Sequence, residues 1–171
     1  AFAFCEESGL APDLKQTVID ASRDCRLDVF TDPYASPTGF PFKVVQVPGT
    51  ISDAVVNDAR ERVCDLAYLR QNYRTEDGGV GYRCPAEPRE DFLCKGGTEQ
   101  EMHGRKCVCN GLVAAVELGQ VRRTGAVEPA LVTAGDEVSQ VHRFLRPGRT
   151  SYTASDVIDR LLGRWMPAPA V

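Results

Sequence analysis

Between Gly104 and Leu112 the chain reads "GRKCVCNGL", which sets Cys107 and Cys109 one residue apart directly before an Asn-Gly. Thiols so placed can belong to a metal site, to a redox pair, or to the wall of a pocket. Zinc would accept Cys84, Cys94, Cys107 and Cys109, with Cys64 or His103 in reserve, because four soft ligands would staple the irregular stretch around them. The spacing is poor for this: structural zinc ligands usually come as C-x2-4-C knuckles, whereas nine residues separate Cys84 from Cys94 and one separates Cys107 from Cys109. No metal ligand is therefore assigned, and those four cysteines stay as an alternative. Thiol exchange normally wants C-x-x-C at a helix start, and a 107–109 disulfide would be strained. In the plainest reading the thiols fill space near a pocket and Asn110 caps a helix.

Other polar groups are less pointed. "ASPTGFPFKVV" (35–45) puts the hydroxyls of Ser36 and Thr38 just before a strand, where backbone N–H groups can meet a ligand; a Pro-rich turn explains it equally well. His142 lies on an apolar-periodic segment and reads as a packed residue, and His103 lies in a loop. At "TAGDE", Asp136 and Glu137 already complement a helix N-terminus and would repel an anion. The chain carries no P-loop, no Ser-His-Asp pattern and no complete dinucleotide fingerprint.

The elements that must position these groups read as follows. The apolar start "AFAF" predicts the end of a buried strand. "SGLAPDLKQTVIDAS" predicts a helix, with Pro12 in its first turn, Asp13 at its positive end, and Leu14, Val18 and Ala21 recurring at helical spacing. "LDVFT" (27–31) and "FKVVQV" (42–47) predict short strands that can pair across the loop "DPYASPTGFP". Ser52 is expected to cap a helix running to about Arg62, with Val55, Val56 and Ala59 as its stripe. Periodicity fails from 64 to 106, and so long an irregular stretch needs a use or a staple. Asn110 is then expected to cap "GLVAAVELGQVRR", with Leu112, Val113, Val116 and Leu118 inward and Arg122 and Arg123 in the last turn. "EVSQVHRFLRPG" presents Val138, Val141, Phe144 and Leu145 as an apolar face. Thr153 and Asp156 form a capping box for "TASDVIDRLLG", which Gly163 stops, and "RWMPAPAV" reads as a frayed tail.

A chain of 171 residues with 43% hydrophobic content can bury one core, and its net charge of -4 argues against nucleic acid as a partner. Sixteen Arg to four Lys suits forked contacts to carboxylates and phosphates, although codon bias gives the same skew. No apolar run reaches the roughly 20 residues that cross a bilayer, no signal-like segment opens the sequence, and no membrane partner is expected. Seven cysteines cannot all pair within one chain, so reduced thiols and a cytoplasmic location are the expectation.

Taken in order, "AFAFCEESG", "TDPYASPTGFPFKVVQVPGT", "CDLAYLR", "GYRCPAEP", "KGG", "GRKCVCNGL", "GQVRRTG", "EPALVTAGD" and "GRTSYTASDVI" resemble the C-terminal part of bacterial nitronate monooxygenases, the 2-nitropropane dioxygenase-like family. The resemblance covers nearly the whole chain without large gaps. It implies an α/β fold: the C-terminal portion of an FMN-binding TIM barrel, mainly the smaller α+β covering domain plus closing helices. Residues 1–8 would end a barrel strand and leave it. Residues 9–134 would form the covering domain with its Cys-containing loop 64–109, residues 135–163 the closing helices that pack on the barrel, and 164–171 a tail.

The implied activity is FMN-dependent oxidation of an alkyl nitronate with dioxygen to a carbonyl compound and nitrite. The implied partners are the nitronate, dioxygen, and a missing barrel segment or partner subunit. The turn that cradles the FMN phosphate would lie just before Ala1, and the histidine that the family uses near the flavin has no counterpart. No catalytic or cofactor-binding residue is therefore assigned, and this chain alone is expected to be an incomplete, inactive part of the enzyme. Cys107, Cys109, Asn110, Ser36 and Thr38 would face or support the substrate side. The alternatives are an FMN-dependent enoyl reductase of the same barrel family and a non-catalytic, zinc-stapled interaction module.

Overall fold

The computed structural model describes residues 1–165, so the expected fraying beyond Trp165 lies outside the described residues. The fold mixes helices with two small two-stranded sheets, and among the described residues no closed barrel is formed. The chain divides into two compact units: residues 1–29 together with the chain from 134 onward, and residues 30–133.

In the first unit, helix α1 (Pro12–Arg23) follows its sequence signals, with Pro12 opening it, Asp13 in its first turn, and Val18 and Ile19 buried. It packs on the segment Asp136–Phe144, which is a 3-10 helix and not the α-helix that its apolar face suggested. Val138, Val141 and Phe144 recur every third residue, and a 3-10 helix stacks such side chains on one edge. Ser22 closes this contact: its hydroxyl donates to Ser139 O at 2.7 Å and lies 2.9 Å from His142 Nδ1. His142 is thus a packed residue, as its setting implied.

The opening "AFAF" is not a strand end. Phe2–Phe4 forms a 3-10 turn, because the adjoining backbone is held elsewhere: Glu6 N donates to Tyr152 O at 2.9 Å and Tyr152 Oη donates to Ala1 O at 2.7 Å. Lys15 Nζ donates to the carbonyls of Cys5, Glu6 and Ser8 at 3.1–3.3 Å, which fixes the turn onto α1. Helix α6 (Ala154–Leu161) has the full capping box, Thr153 and Asp156 each bonding the other's backbone N–H, and Gly163 at φ +69° ends it. Val157 is buried, whereas Ile158, Leu161 and Leu162 are exposed.

In the second unit, strands β1 (Val29–Asp32) and β2 (Phe42–Val45) pair across the Pro-rich loop, as their sequences suggested. The segment 130–133 runs beside β2: Val45 N donates to Val132 O and Ile51 N to Ala130 O, each at 2.9 Å. On its other side Leu131 N donates to Gly111 O at 2.8 Å. Ala35, Val44, Ile51, Val108 and Leu131 form the core between these segments, with Phe42, Val56 and Leu69 against it.

Helix α2 (Ala54–Ala59) is shorter than expected and is capped by Asp53, which accepts from Val55 N; Ser52 instead bonds Val47 and Thr50. The anticipated stripe is displaced too, because Val55 and Ala59 face solvent and Asn57 is buried. The stretch 64–106 is not irregular throughout. It holds an antiparallel hairpin of β3 (Gln71–Arg74) and β4 (Val80–Arg83) and the short helices α3 (Arg89–Cys94) and α4 (Glu99–Met102), the latter with a Thr98–Glu101 capping box. Helix α5 (Val108–Ala114) starts two residues before the expected cap and stops early, since Glu117 adopts φ +63° and turns the chain. Leu112 and Leu118 are therefore exposed, and Arg122 lies inward and not in a helical last turn.

Candidate functional site

The two stretches that carry chemistry in the sequence meet in the second unit. Lys106 N donates to Ala35 O at 2.9 Å, and Arg105 Nη1 donates to the carbonyls of Tyr34 and Ser36 at 3.0 and 2.6 Å, so the Pro-rich loop is tied to the start of α5. Within that loop Ser36 Oγ and Thr38 Oγ1 lie 2.7 Å apart, and Thr38 N donates to Ser36 Oγ. One hydroxyl hydrogen serves this pair, and the second can reach a further acceptor. Ser36 is buried and Thr38 half-buried.

Pro37, Cys107, Cys109 and Asn110 line one small cavity together with Cys64 and Cys84. All seven cysteines are free thiols, so the 107–109 disulfide is not formed. Of the alternative zinc set, Cys84, Cys107 and Cys109 line this cavity with Cys64, whereas Cys94 ends α3, is exposed, and lines a separate groove with Tyr73, Arg83 and Lys95; among the described residues no group of three or more His, Cys, Asp or Glu is placed to hold a metal ion. Chain direction explains the separation. The hairpin β3–β4 returns Cys84 to the segment that follows Cys64, and α3 carries Cys94 away. His103 is also elsewhere, stacked edge-on against Tyr34 at 6.2 Å.

Burial pushes the Cys84 thiol up to about 12 and the Cys107 thiol up to about 11, and it raises Cys109 as well. Opposing this, the backbone N–H groups of Ala86, Asn110, and Tyr68 with Leu69 favour the charged forms of Cys84, Cys107 and Cys109, respectively. Arg70, held above its ordinary value mainly by a bond to Cys64, faces the fourth sulfur. At neutral pH the buried thiols are protonated and therefore poor nucleophiles.

Asn110 does not cap α5; Cys107 occupies that position without a side-chain bond. The Asn110 amide, fully buried, donates to Val63 O at 3.0 Å and to Asp65 Oδ2 at 2.7 Å, which commits both its hydrogens. Sequence reading missed what lies beside it. Arg122 Nη1 donates to the same Asp65 oxygen at 2.8 Å, and Glu128 is clasped between Arg122 and Arg60, the latter at 2.9 Å. The side chains of Arg60, Arg122 and Glu128 are only 3%, 6% and 1% exposed, so two cations and two carboxylates form an inward network of no net charge. Burial alone would lower Arg122, but its bonds to Asp65 and Glu128 outweigh it. Lys106 is likewise buried; loss of water lowers it, against the pull of Asp32 and Asp58. Only the surplus of Arg over Lys hinted at buried forked pairs.

No family model, no curated protein and no solved structure matches this chain. Its site therefore has to be read from its own geometry. Among the described residues, no helix is long and apolar enough to cross a membrane.

Proposed function

We propose that the chain serves the substrate side of an FMN-dependent oxidoreductase of nitronate monooxygenase type, in a longer or two-part enzyme. The observation that carries this reading is the meeting of two family-like stretches, "ASPTGF" and "GRKCVCNGL", around one cavity, with Ala35 O and Lys106 N joined at 2.9 Å. The Ser36–Thr38 hydroxyl pair is the group suited to a nitronate oxygen, since it has a hydrogen beyond the one that joins the pair. Cys107, Cys109 and Asn110 pack behind this loop around a cavity of about 10 Å³, too small for a substrate, and support the substrate side from within, Asn110 through Asp65 and Val63.

Arg60 and Arg122 each bond Glu128, and Arg105 donates to the carbonyls of Tyr34 and Ser36. In this reading FMN would be held by the barrel segment or partner subunit that completes the enzyme. When bound, it supplies the electron acceptance that precedes oxidation by dioxygen.

The test is oxygen uptake and nitrite release by the complete FMN-loaded enzyme on an alkyl nitronate without NADPH. NADPH oxidation that depends on an enoyl thioester, with no nitrite formed, assigns the enzyme instead to the enoyl reductases of the same barrel family.

A further inference from the structure

Arg60 is engaged on one side only. Its side chain is 3% exposed and Nη1 donates to Glu128 Oε1 at 2.9 Å, yet among the described residues no acceptor meets Nε or Nη2. Those two nitrogens share one edge of the guanidinium plane, so their N–H bonds form a fork matched to the two oxygens of one carboxylate. Buried donors are seldom left unpaired, and each such case calls for an explanation. Charge points the same way. Glu128 is divided between Arg60 and Arg122, and Asp65 goes to Arg122 and Asn110, so Arg60 has no carboxylate of its own. Arg122 uses both Nη1 and Nη2 and leaves only Nε, one donor where a carboxylate accepts two.

Both arginines line a groove of about 580 Å³ within the second unit, and the rest of its lining is mainly apolar. Helix α2 supplies Val55 and Val56. Further along, the chain doubles back: Val121 bridges Val127 and Arg122 N donates to Ala126 O at 2.7 Å, which sets Val127 and Pro129 on the groove. Concave, mostly apolar sites of this size with a few placed polar groups are where small molecules bind. We propose that this groove binds a small aliphatic monocarboxylate, its two oxygens on the Arg60 Nε–Nη2 fork and its chain against Val55, Val56, Val127 and Pro129.

Other ligand chemistries fit less well. A phosphate dianion would leave most of its acceptors dry against apolar walls, and a neutral carbonyl presents one oxygen to two donors. Solvent does not reach the fork, so entry requires rim side chains to move; Val55, Glu61 and Val127 there are exposed, and exposed side chains change rotamer quickly. Glu61 carries the ligand's own sign, so Glu61→Gln should tighten binding. This binding makes and breaks no covalent bond and does not depend on the proposed flavin chemistry.

The full chain is titrated calorimetrically with butanoate, pentanoate and hexanoate in a buffer free of carboxylates. The expected result is one site per chain, with affinity rising about fourfold for each added methylene. Hexanamide, which keeps the chain and loses the charge, should bind at least about tenfold more weakly than hexanoate. Arg60→Lys keeps the charge and loses the fork, and should weaken hexanoate by a similar factor. Because Arg60 also holds Glu128, that variant can lose the fold, so a second pair spares the buried network. Val127→Asp, at an exposed position, should abolish binding by placing a carboxylate in the groove, whereas Val80→Asp, equally exposed but on β4, should leave it unchanged. Absence of saturable hexanoate binding, equal affinity for hexanamide, or full binding by Val127→Asp overturns the proposal.

Discussion

Asn110 Nδ2 stands 2.7 Å from Asp65 Oδ2, an oxygen that also accepts from Arg122 Nη1 at 2.8 Å. A buried amide therefore joins α5 to the segment after Cys64 and to a network of charges. Asn110→Ala leaves Val63 O and part of Asp65 without a donor, so it should lower unfolding free energy by about 1–3 kcal/mol in urea titration. Asn110→Asp should cost more, since it sets two carboxylates side by side. An Asn110→Ala chain as stable as the wild type would mean that the amide is not a structural tie.

Glu128 holds two buried guanidinium groups. Glu128→Gln strips both of their shared countercharge, and breaking a buried pair from one side costs about 3–5 kcal/mol. Chemical denaturation should show that loss, whereas replacing the exposed Glu61 should change stability by less than about 0.5 kcal/mol.

Gly111 packs where no side chain fits: a Cβ there would lie 2.7 Å from Leu131 Cβ and 3.0 Å from Ile51 Cδ1. Gly111→Ala should destabilise the second unit by about 1–3 kcal/mol despite the higher helix propensity of alanine, as thermal melting would register.

The α6 capping box carries a pH dependence. Burial pulls Asp156 upward, but the Thr153 backbone N–H, the Arg146 guanidinium and the Thr153 hydroxyl outweigh it, holding its carboxyl below the usual range. The unfolded chain thus binds a proton more readily than the folded one. The stabilisation is fully present above the ordinary aspartate value of about 4 and is lost as pH falls through the lower folded value. Wild-type melting temperature should fall in that acid window, and Asp156→Asn should flatten the dependence. Thr153→Ala should cost about 0.5–2 kcal/mol at neutral pH.

Thiol chemistry should separate the cysteines. Cys25 and Cys94 are exposed, whereas burial keeps Cys84 and Cys107 protonated well above neutral pH. Alkylation at pH 8 followed by peptide mapping should label Cys25 and Cys94 first; labelling of Cys107 ahead of them would contradict the described burial.

What could be read in the sequence is what local rules govern. Pro12 with Asp13, Thr153 with Asp156, and the pairing of two short strands across a Pro-rich loop each depend on a few adjacent residues. The failures lie where distant contacts decide. "AFAF" is apolar enough for a strand, but Tyr152 and Lys15 hold the adjoining backbone in a turn. Asn110 looks like a cap because Asn often caps, yet Asp65, 45 residues away, takes its amide. The place of Cys64 beside Cys84 is not legible either, because no spacing rule anticipates the hairpin that returns the chain there.

Splitting of the first unit by the second has a consequence for synthesis. Residues 30–133 are complete, with their own hydrogen-bonded core, before Ser139 and His142 leave the ribosome. Helix α1, made early, lacks the surface that receives Val18 and Ile19 until more than a hundred further residues have been added. A nascent chain stalled near Thr133 should therefore hold a formed second unit and an exposed, protease-sensitive α1, which is covered only once Ser139 and His142 have followed.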